Sequence, residues 1–298
     1  MLKKIIKVPN CFNLNQSNQS VEEFINLVLA SQNEYPLVYN MEQVAFLHPY
    51  GVSILLYTAR WIAQRSGYPV TLTNMDSKVY AYLDRVDLFR QGASWVRTDQ
   101  VLSEKLTRRP DSDNLLELTC LNSAAAHARF VNRARLIMTT WLNDDAVEID
   151  QLFTVLSEVC SNARDHSKDE GHVMIQKFRR TTTSPPVIEV HIVVCDLGIG
   201  IRGSLEATYG SIAATPIEYI KLALQGRSAR GERQGGAGLQ KIITNRIKQK
   251  GGVLSIRSNT GLALIQNDKE DSYEVFENFP GTQVSLVLRS LYDLSEPK

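Results

Sequence analysis

Cysteine is scarce in this chain: Cys11, Cys120, Cys160 and Cys195 are scattered through 298 positions without Cys-x-x-Cys spacing. That argues against a zinc site and a dense disulfide framework, and leaves burial as a small apolar group as the expected use of all four. Long apolar runs are missing too. No stretch approaches the roughly 18 residues of a membrane helix, and Met1-Leu2-Lys3-Lys4-Ile5-Ile6-Lys7-Val8-Pro9 is too short and too broken by lysine for a signal-peptide core. The expectation is a cytoplasmic protein with no membrane partner. Charge of one sign is not in excess either. Lys and Arg total 33 against 32 Asp and Glu, a net charge of +1, so no general attraction to nucleic acid is expected. Internal repeats and low-complexity segments are absent.

What is there is an ordinary globular composition, 43% hydrophobic and 22% charged. The length predicts two domains of roughly 100 and 190 residues. Strand-like and helix-like segments alternate in the first half. Leu2 to Val8 reads as a strand, and Ser20-Val21-Glu22-Glu23 as a capping box opening an amphipathic helix through Leu29. Short strand pieces follow at Pro36 to Met41 and Val44 to Leu47, then a helix from Tyr50 to Arg65 stopped by Gly67. A strand at Tyr68 to Thr73 and a helix at Ser77 to Leu83 complete a compact α/β unit over residues 1–92. Residues 93–113, with Arg108-Arg109-Pro110-Asp111-Ser112-Asp113, read as a linker. The second domain, 114–291, is predicted to hold a strand (Leu115 to Cys120), helices at Ala124 to Leu142 and Ala146 to His166, and strands at Val173 to Phe178 and Val187 to Cys195. A helix near Leu239 to Lys248 and strands at Gly252 to Ser258 and Thr282 to Leu288 follow.

Three segments carry chemistry. On a helix, Glu158 and Asn162 stand four apart and Asp165 three further on, so all three share one face. That face suits a magnesium phosphate site, with an oxygen ligand from Asn162 and a carboxylate at Glu158 able to deprotonate an attacking group. Next, the apolar strand Val193-Val194-Cys195 ends in Asp196-Leu197-Gly198-Ile199-Gly200-Ile201. Its glycines let backbone approach a ligand, and its aspartate can accept a hydrogen bond from an exocyclic amino group, as adenine offers. Third, Gln234-Gly235-Gly236-Ala237-Gly238-Leu239 opens a helix, where free backbone N–H groups and the helix dipole favour phosphate. Arg227, Ser228, Arg230 and Arg233 lie just upstream and can add charge. Alone, each segment also reads as a solvated helix face or an ordinary turn.

In this order and on these elements, the three segments resemble the GHKL superfamily of Bergerat-fold ATP-binding domains over about residues 115–290. Type II topoisomerases, chaperone and mismatch-repair ATPases and histidine kinases belong to it. The resemblance implies an α/β (α+β) fold whose C-terminal domain is an α/β sandwich with helices on one face of a mixed sheet. It implies ATP and Mg²⁺ as cofactors, with Glu158 as general base, Asn162 as the metal ligand and Asp165 as the acidic residue near the nucleotide. Asp196 looks like the adenine-reading carboxylate, Gly198, Gly200 and Ile201 like the turn over the nucleotide, and Gly235, Gly236, Ala237, Gly238 and Leu239 like the phosphate side. Thr282, in Pro280-Gly281-Thr282, looks like the threonine behind the adenine.

Within the superfamily the chain is similar to anti-sigma-factor serine kinases, and its first half resembles a STAS domain, with a mixed sheet and helices. The expected protein is therefore a regulator that hydrolyses ATP or phosphorylates a protein in partner switching, an ATPase or serine/threonine protein kinase. Its alternative is a nucleotide-gated binding module with little turnover. A STAS-like or other regulatory protein is the expected partner, and a homodimer an expected assembly. STAS domains that are phosphorylated carry Ser or Thr just before the glycine that opens the helix; this chain has Tyr50, with Ser53 inside the helix. His127, at a helix start, is the one candidate for a phosphoacceptor histidine, while His166 is expected to pack at the helix end.

Overall fold

The computed structural model describes residues 3–12, 19–100, 114–142, 146–166, 169–181, 183, 185–228, 247–267 and 269–291. They divide into two compact units, Met1–Ser112 with Glu117–Thr119, and Asp113–Leu116 with Cys120–Lys298. Helices and strands are both abundant, with one parallel and one antiparallel sheet, so the α/β class expected from the sequence holds. Among the described residues no helix is long and apolar enough to cross a membrane.

The first unit runs β1 (Lys4–Lys7), β2 (Cys11–Phe12), α1 (Gln19–Ala30), β3 (Leu37–Asn40), β4 (Phe46–Leu47) and α2 (Pro49–Ser66). It continues through β5 (Val70–Thr73), α3 (Ser77–Arg85), α4 (Leu88–Gln91) and β6 (Val96–Thr98). The main sheet has the order β1-β3-β5-β6, and every pairing in it is parallel, as is the small β2-β4 ladder. The sheet is thus parallel rather than mixed. The reason is local: α1 lies between β1 and β3, α2 between β3 and β5, and α3 with α4 between β5 and β6, and parallel neighbours need such crossovers. α2 is buried at every position from Pro49 to Ile62, and only its last turn reaches the surface. It starts with Pro49 in its first turn and stops at Gly67 (φ 74°), whose N–H caps Ala63. Tyr50 and Ser53 are 2% and 1% exposed, so neither hydroxyl is open to a phosphate donor in this fold. β6 lies inside the stretch expected to be a linker. It is three residues long at a sheet edge, too brief to show a period against its polar neighbours.

The second unit runs β7 (Leu115–Cys120, of which Glu117–Thr119 group with the first unit), α5 (Ala124–Trp141), α6 (Ala146–Ser161), a π turn (Asn162–His166), β8 (His172–Arg180) and β9 (Val187–Asp196). It ends with α7 (Gly200–Tyr209), α8 (Pro216–Leu224), β10 (Gly252–Gln266) and β11 (Lys269–Leu291). The sheet order is β10-β11-β9-β8-β7. Pairings β10/β11, β11/β9 and β9/β8 are antiparallel. Bonds from Lys177 to Asn114 and from Leu121 to Gly171 run in opposite directions along β7 and β8, so this seam is antiparallel too. The mixed sheet expected here is antiparallel throughout. Alternate residues Ile188, Val190, Ile192 and Val194 of β9 join Phe130, Leu152, Leu156 and Cys160 of α5 and α6 in one core. A smaller core, Leu205, Tyr209, Ala213 and Tyr219, joins α7 to α8, and Thr215 with Glu218 closes a capping box at α8.

Candidate functional site

The buried stripe of α6, Leu152, Leu156 and Cys160, continues into Ala163, which leaves Glu158 half-buried and Asn162 and Asp165 exposed. The three expected site residues are therefore turned from the core, but not on a uniform α-helix. The widened π turn begins at Asn162, so Asp165 is carried round from the α-helical phase. Close packing accompanies it: a Cβ on Gly171, just before β8, would meet Ala163 Cβ at 2.8 Å. The Asp165 carboxylate is held by its neighbour in a bidentate pair, Arg164 Nε and Nη2 each donating at 2.6 Å. Arg164 Nη1 also reaches His127 Nδ1 at 3.1 Å, while His127 Nε2 lies 3.4 Å from Ser157 Oγ. An arginine can only donate, so Nδ1 is the acceptor and the remaining N–H points at Ser157. Burial and then the Arg164 charge lower the His127 pKa. Burial pushes the Cys160 thiol up to about 12, so it acts as a packing group. Cys195 is buried and Cys120 half-buried, both outside any disulfide.

The π turn packs against β9, and β9 ends in Asp196, only 4% exposed. Asp196 Oδ1 accepts from Gly198 N at 2.8 Å and from Thr282 N at 3.3 Å. Thr282 is its cross-strand partner, and Ser258 is the partner of Thr282 in turn. Ser258 Oγ then accepts from Ile201 N (2.9 Å), donates to Gly281 O (3.0 Å) and lies 3.4 Å from Thr282 Oγ1. Asp196, Gly198, Gly200, Ile201 and Thr282, chosen from sequence alone, thus share one hydrogen-bonded corner. The glycine rationale shifts, however. Gly200 (φ 73°) leaves room for β10, since a Cβ there would meet Asn259 Oδ1 at 2.4 Å and Ser258 Oγ at 2.8 Å. Gly281 (φ 82°) is tighter still, with Asp196 O at 2.0 Å from a Cβ. The side chain of Ile201 packs towards both cores rather than standing at the corner.

Arg227 and Ser228 follow α8. Arg227 N donates to Leu222 O (3.0 Å), and Tyr209 OH of α7 donates to Ser228 O (3.3 Å), so they are tied to the helix that the Gly200 turn opens. Gly235, Gly236, Ala237, Gly238 and Leu239 lie outside the described residues. Sequence reasoning missed several residues of the corner. Asp169 Oδ2 accepts from Leu197 N (3.0 Å), joining the loop after the π turn to the Asp196 turn. Gln283 Nε2 donates to Asp196 O (3.1 Å) and Pro280 O (3.0 Å). Asn259 (φ 56°) sits in a register shift of β10. The polar break Ser258-Asn259-Thr260-Gly261 between two apolar halves of β10 was the available signal for that bulge.

Among the described residues two buried acceptors here lack a hydrogen-bond donor: Asn259 Oδ1, packed against the Gly200 turn, and Gln283 Oε1, on the opposite sheet face from Asp196 beside Cys195 and Arg257. Among the described residues no three His, Cys, Asp or Glu side chains gather as a metal cage. Comparison of the chain with models of known protein families, with curated proteins and with solved structures gave no match.

Proposed function

We propose that the second unit binds ATP with Mg²⁺ in a GHKL-type pocket and that the protein is a cytoplasmic regulator of the anti-sigma-factor kinase type. The observation that carries this reading is Asp196. It is a buried carboxylate at a strand end, fixed by the N–H groups of Gly198 and Thr282. An adenine amino group is the matching donor. Asn162, exposed on the turn packed against β9, would supply one oxygen to a Mg²⁺ whose remaining ligands are phosphate and water. Such an ion, when bound, neutralises charge on the phosphates.

Glu158, four residues before Asn162, is the base in this reading. It would take the proton from an attacking water or from a partner's hydroxyl. Arg164 acts through Asp165, holding its carboxylate in one geometry at the end of the helix. The first unit serves as a docking module for a regulatory protein, because its Tyr50 and Ser53 are buried. Radiolabelled ATP turnover by Glu158→Gln tests the chemistry: it should fall by about 100-fold or more while nucleotide affinity stays within twofold. Equal turnover in variant and parent removes Glu158 as the base. Binding without turnover in the parent moves the reading to a nucleotide-gated binding module.

A further inference from the structure

The chain changes its winding where α6 gives way to the π turn, between Ser161 and Asn162. The residues given roles in the nucleotide reading lie on both sides of that junction, Glu158 before it and Asn162 with Asp165 after it. A wider turn rotates every later side chain relative to the earlier ones, so the junction has to be held in one phase for the three to converge. Ala163 packed on Gly171 holds it from one element, since a Cβ on Gly171 would meet Ala163 Cβ at 2.8 Å. His127, in the first turn of α5, holds it from another.

The imidazole spans the junction. Its Nε2 lies 3.4 Å from Ser157 Oγ, next to Glu158, and its Nδ1 accepts from Arg164 Nη1 at 3.1 Å, next to Asp165. Glu158 and Asn162 therefore lie inside the bracketed stretch 157–164. Arg164 passes the constraint on, because its Nε and Nη2 grip the Asp165 carboxylate as a fork, each at 2.6 Å. The ring itself stands on fixed ground. Ser123 caps α5 by accepting from Ala126 N at 3.1 Å, His127 N donates to Ser123 O at 3.0 Å, and Phe130, Ala134 and Met138 seat the helix in the core. Only one tautomer serves, since a guanidinium needs the lone pair of Nδ1 and the proton is then on Nε2.

We propose that His127 is a positioning residue for the nucleotide site: its ring fixes the phase of the π turn, and with it the directions in which Asn162 and Asp165 face relative to Glu158. It acts through Ser157 and Arg164, which gives the ring a use other than the phosphoacceptor expected from its place at a helix start. The role at the site rests on the nucleotide reading, whereas the clamp is a property of the free protein and is read without nucleotide.

The test compares the full-length parent with His127→Asn and His127→Leu in two readouts. Asparagine keeps an acceptor at the same bond distance from Cβ as Nδ1, so it can take the hydrogen bond of Arg164; leucine fills the space without one. In the absence of nucleotide, amide exchange over 162–166 should quicken about tenfold in His127→Leu and stay within about threefold of the parent in His127→Asn. Affinity for Mg²⁺ with a non-hydrolysable ATP analogue should fall about tenfold or more in His127→Leu and return to within about threefold of the parent in His127→Asn. Equal exchange in all three proteins would overturn the clamp. Asparagine as weak as leucine in both readouts would overturn it too, leaving His127 a packing group. A parent that binds no analogue overturns the nucleotide reading and the role at that site, and is told apart from a failed clamp by the exchange result. Should His127→Leu not fold, His127→Gln, whose acceptor reaches one carbon beyond the Nδ1 place, is measured in its stead with the same expectation.

Discussion

The two units use their sheets differently. In the first, every pairing is parallel and helices connect successive strands of the main sheet, with α2, buried from Pro49 to Ile62, as the central one. In the second, the sheet is antiparallel and its interior is mixed. The helix side of β9 carries Ile188, Val190, Ile192 and Val194, while the alternate positions carry Glu189, His191 and Cys195, all buried. Asp196, Ser258, Arg257 and Gln283 cluster where β9, β10 and β11 pass one another. Both units bury charge, but in different places. Among the described residues the first unit buries Glu22, Arg60, Asp84 and Asp87 on its helices and the turn between α3 and α4, off the sheet, whereas the second buries Glu189, Asp196 and Arg257 on the strands themselves.

If that contrast is right, the largest effect comes from the corner itself. Gly281→Ala forces a side chain into Asp196 O at a positive φ, and should cost about 4 kcal/mol in chemical denaturation and abolish nucleotide binding. A loss under about 1 kcal/mol would mean that the corner is looser than described. Next comes a packing change in the first unit: Phe24, fully buried against Tyr39 with ring centroids 5.1 Å apart, should cost about 3–4 kcal/mol as Phe24→Ala.

The third effect separates the units by pH. Burial alone would push the Glu189 carboxyl up, but hydrogen bonds from His191 and Arg180 and the arginine charge bring it down to about 2, and Arg289 adds a bond at 3.0 Å. A carboxyl depressed in the folded state stabilises above its unfolded value of 4.5 and loses that contribution as pH falls toward about 2. Parent protein should therefore lose stability across that window. Glu189→Gln should start about 2 kcal/mol lower at neutral pH and lack this part of the acid dependence, as urea melts at successive pH values would reveal. Identical acid profiles would contradict the network. The smallest effect is Gly67→Ala, in open space but at φ 74°, which should cost about 1 kcal/mol in the first unit.

Much of the first unit was legible because its signals are local. Pro49 and Gly67 bracket α2, and the apolar runs at Leu37 and Val70 are strands. Smaller errors followed from the same locality. The expected capping Ser20 lies within α1, which begins at Gln19, and α4 and β6 are too short to carry a period. In the second unit the Asp196 turn was visible from the switch of an apolar strand to aspartate and glycine. The outer half of the β10–β11 hairpin was not, because 259–281 mixes Gly, Pro, acidic and aromatic residues, and its strand character comes from pairing along the hairpin and from α8 packed beneath. The π turn was hidden too: nothing in Asn162-Ala163-Arg164-Asp165-His166 distinguishes it from an α-helical end, and close contact of Ala163 with Gly171 is a tertiary property.

Asp196 and Asn162 carry the proposed nucleotide pocket. Calorimetric titration of the full-length protein with Mg²⁺ and a non-hydrolysable ATP analogue, beside Asp196→Asn and Asn162→Ala, tests it directly. Micromolar binding, about −8 kcal/mol, is expected, weakened at least tenfold by Asp196→Asn and dependent on Mg²⁺ only where Asn162 is intact. No heat from the parent, or equal affinity in all three proteins, would contradict it.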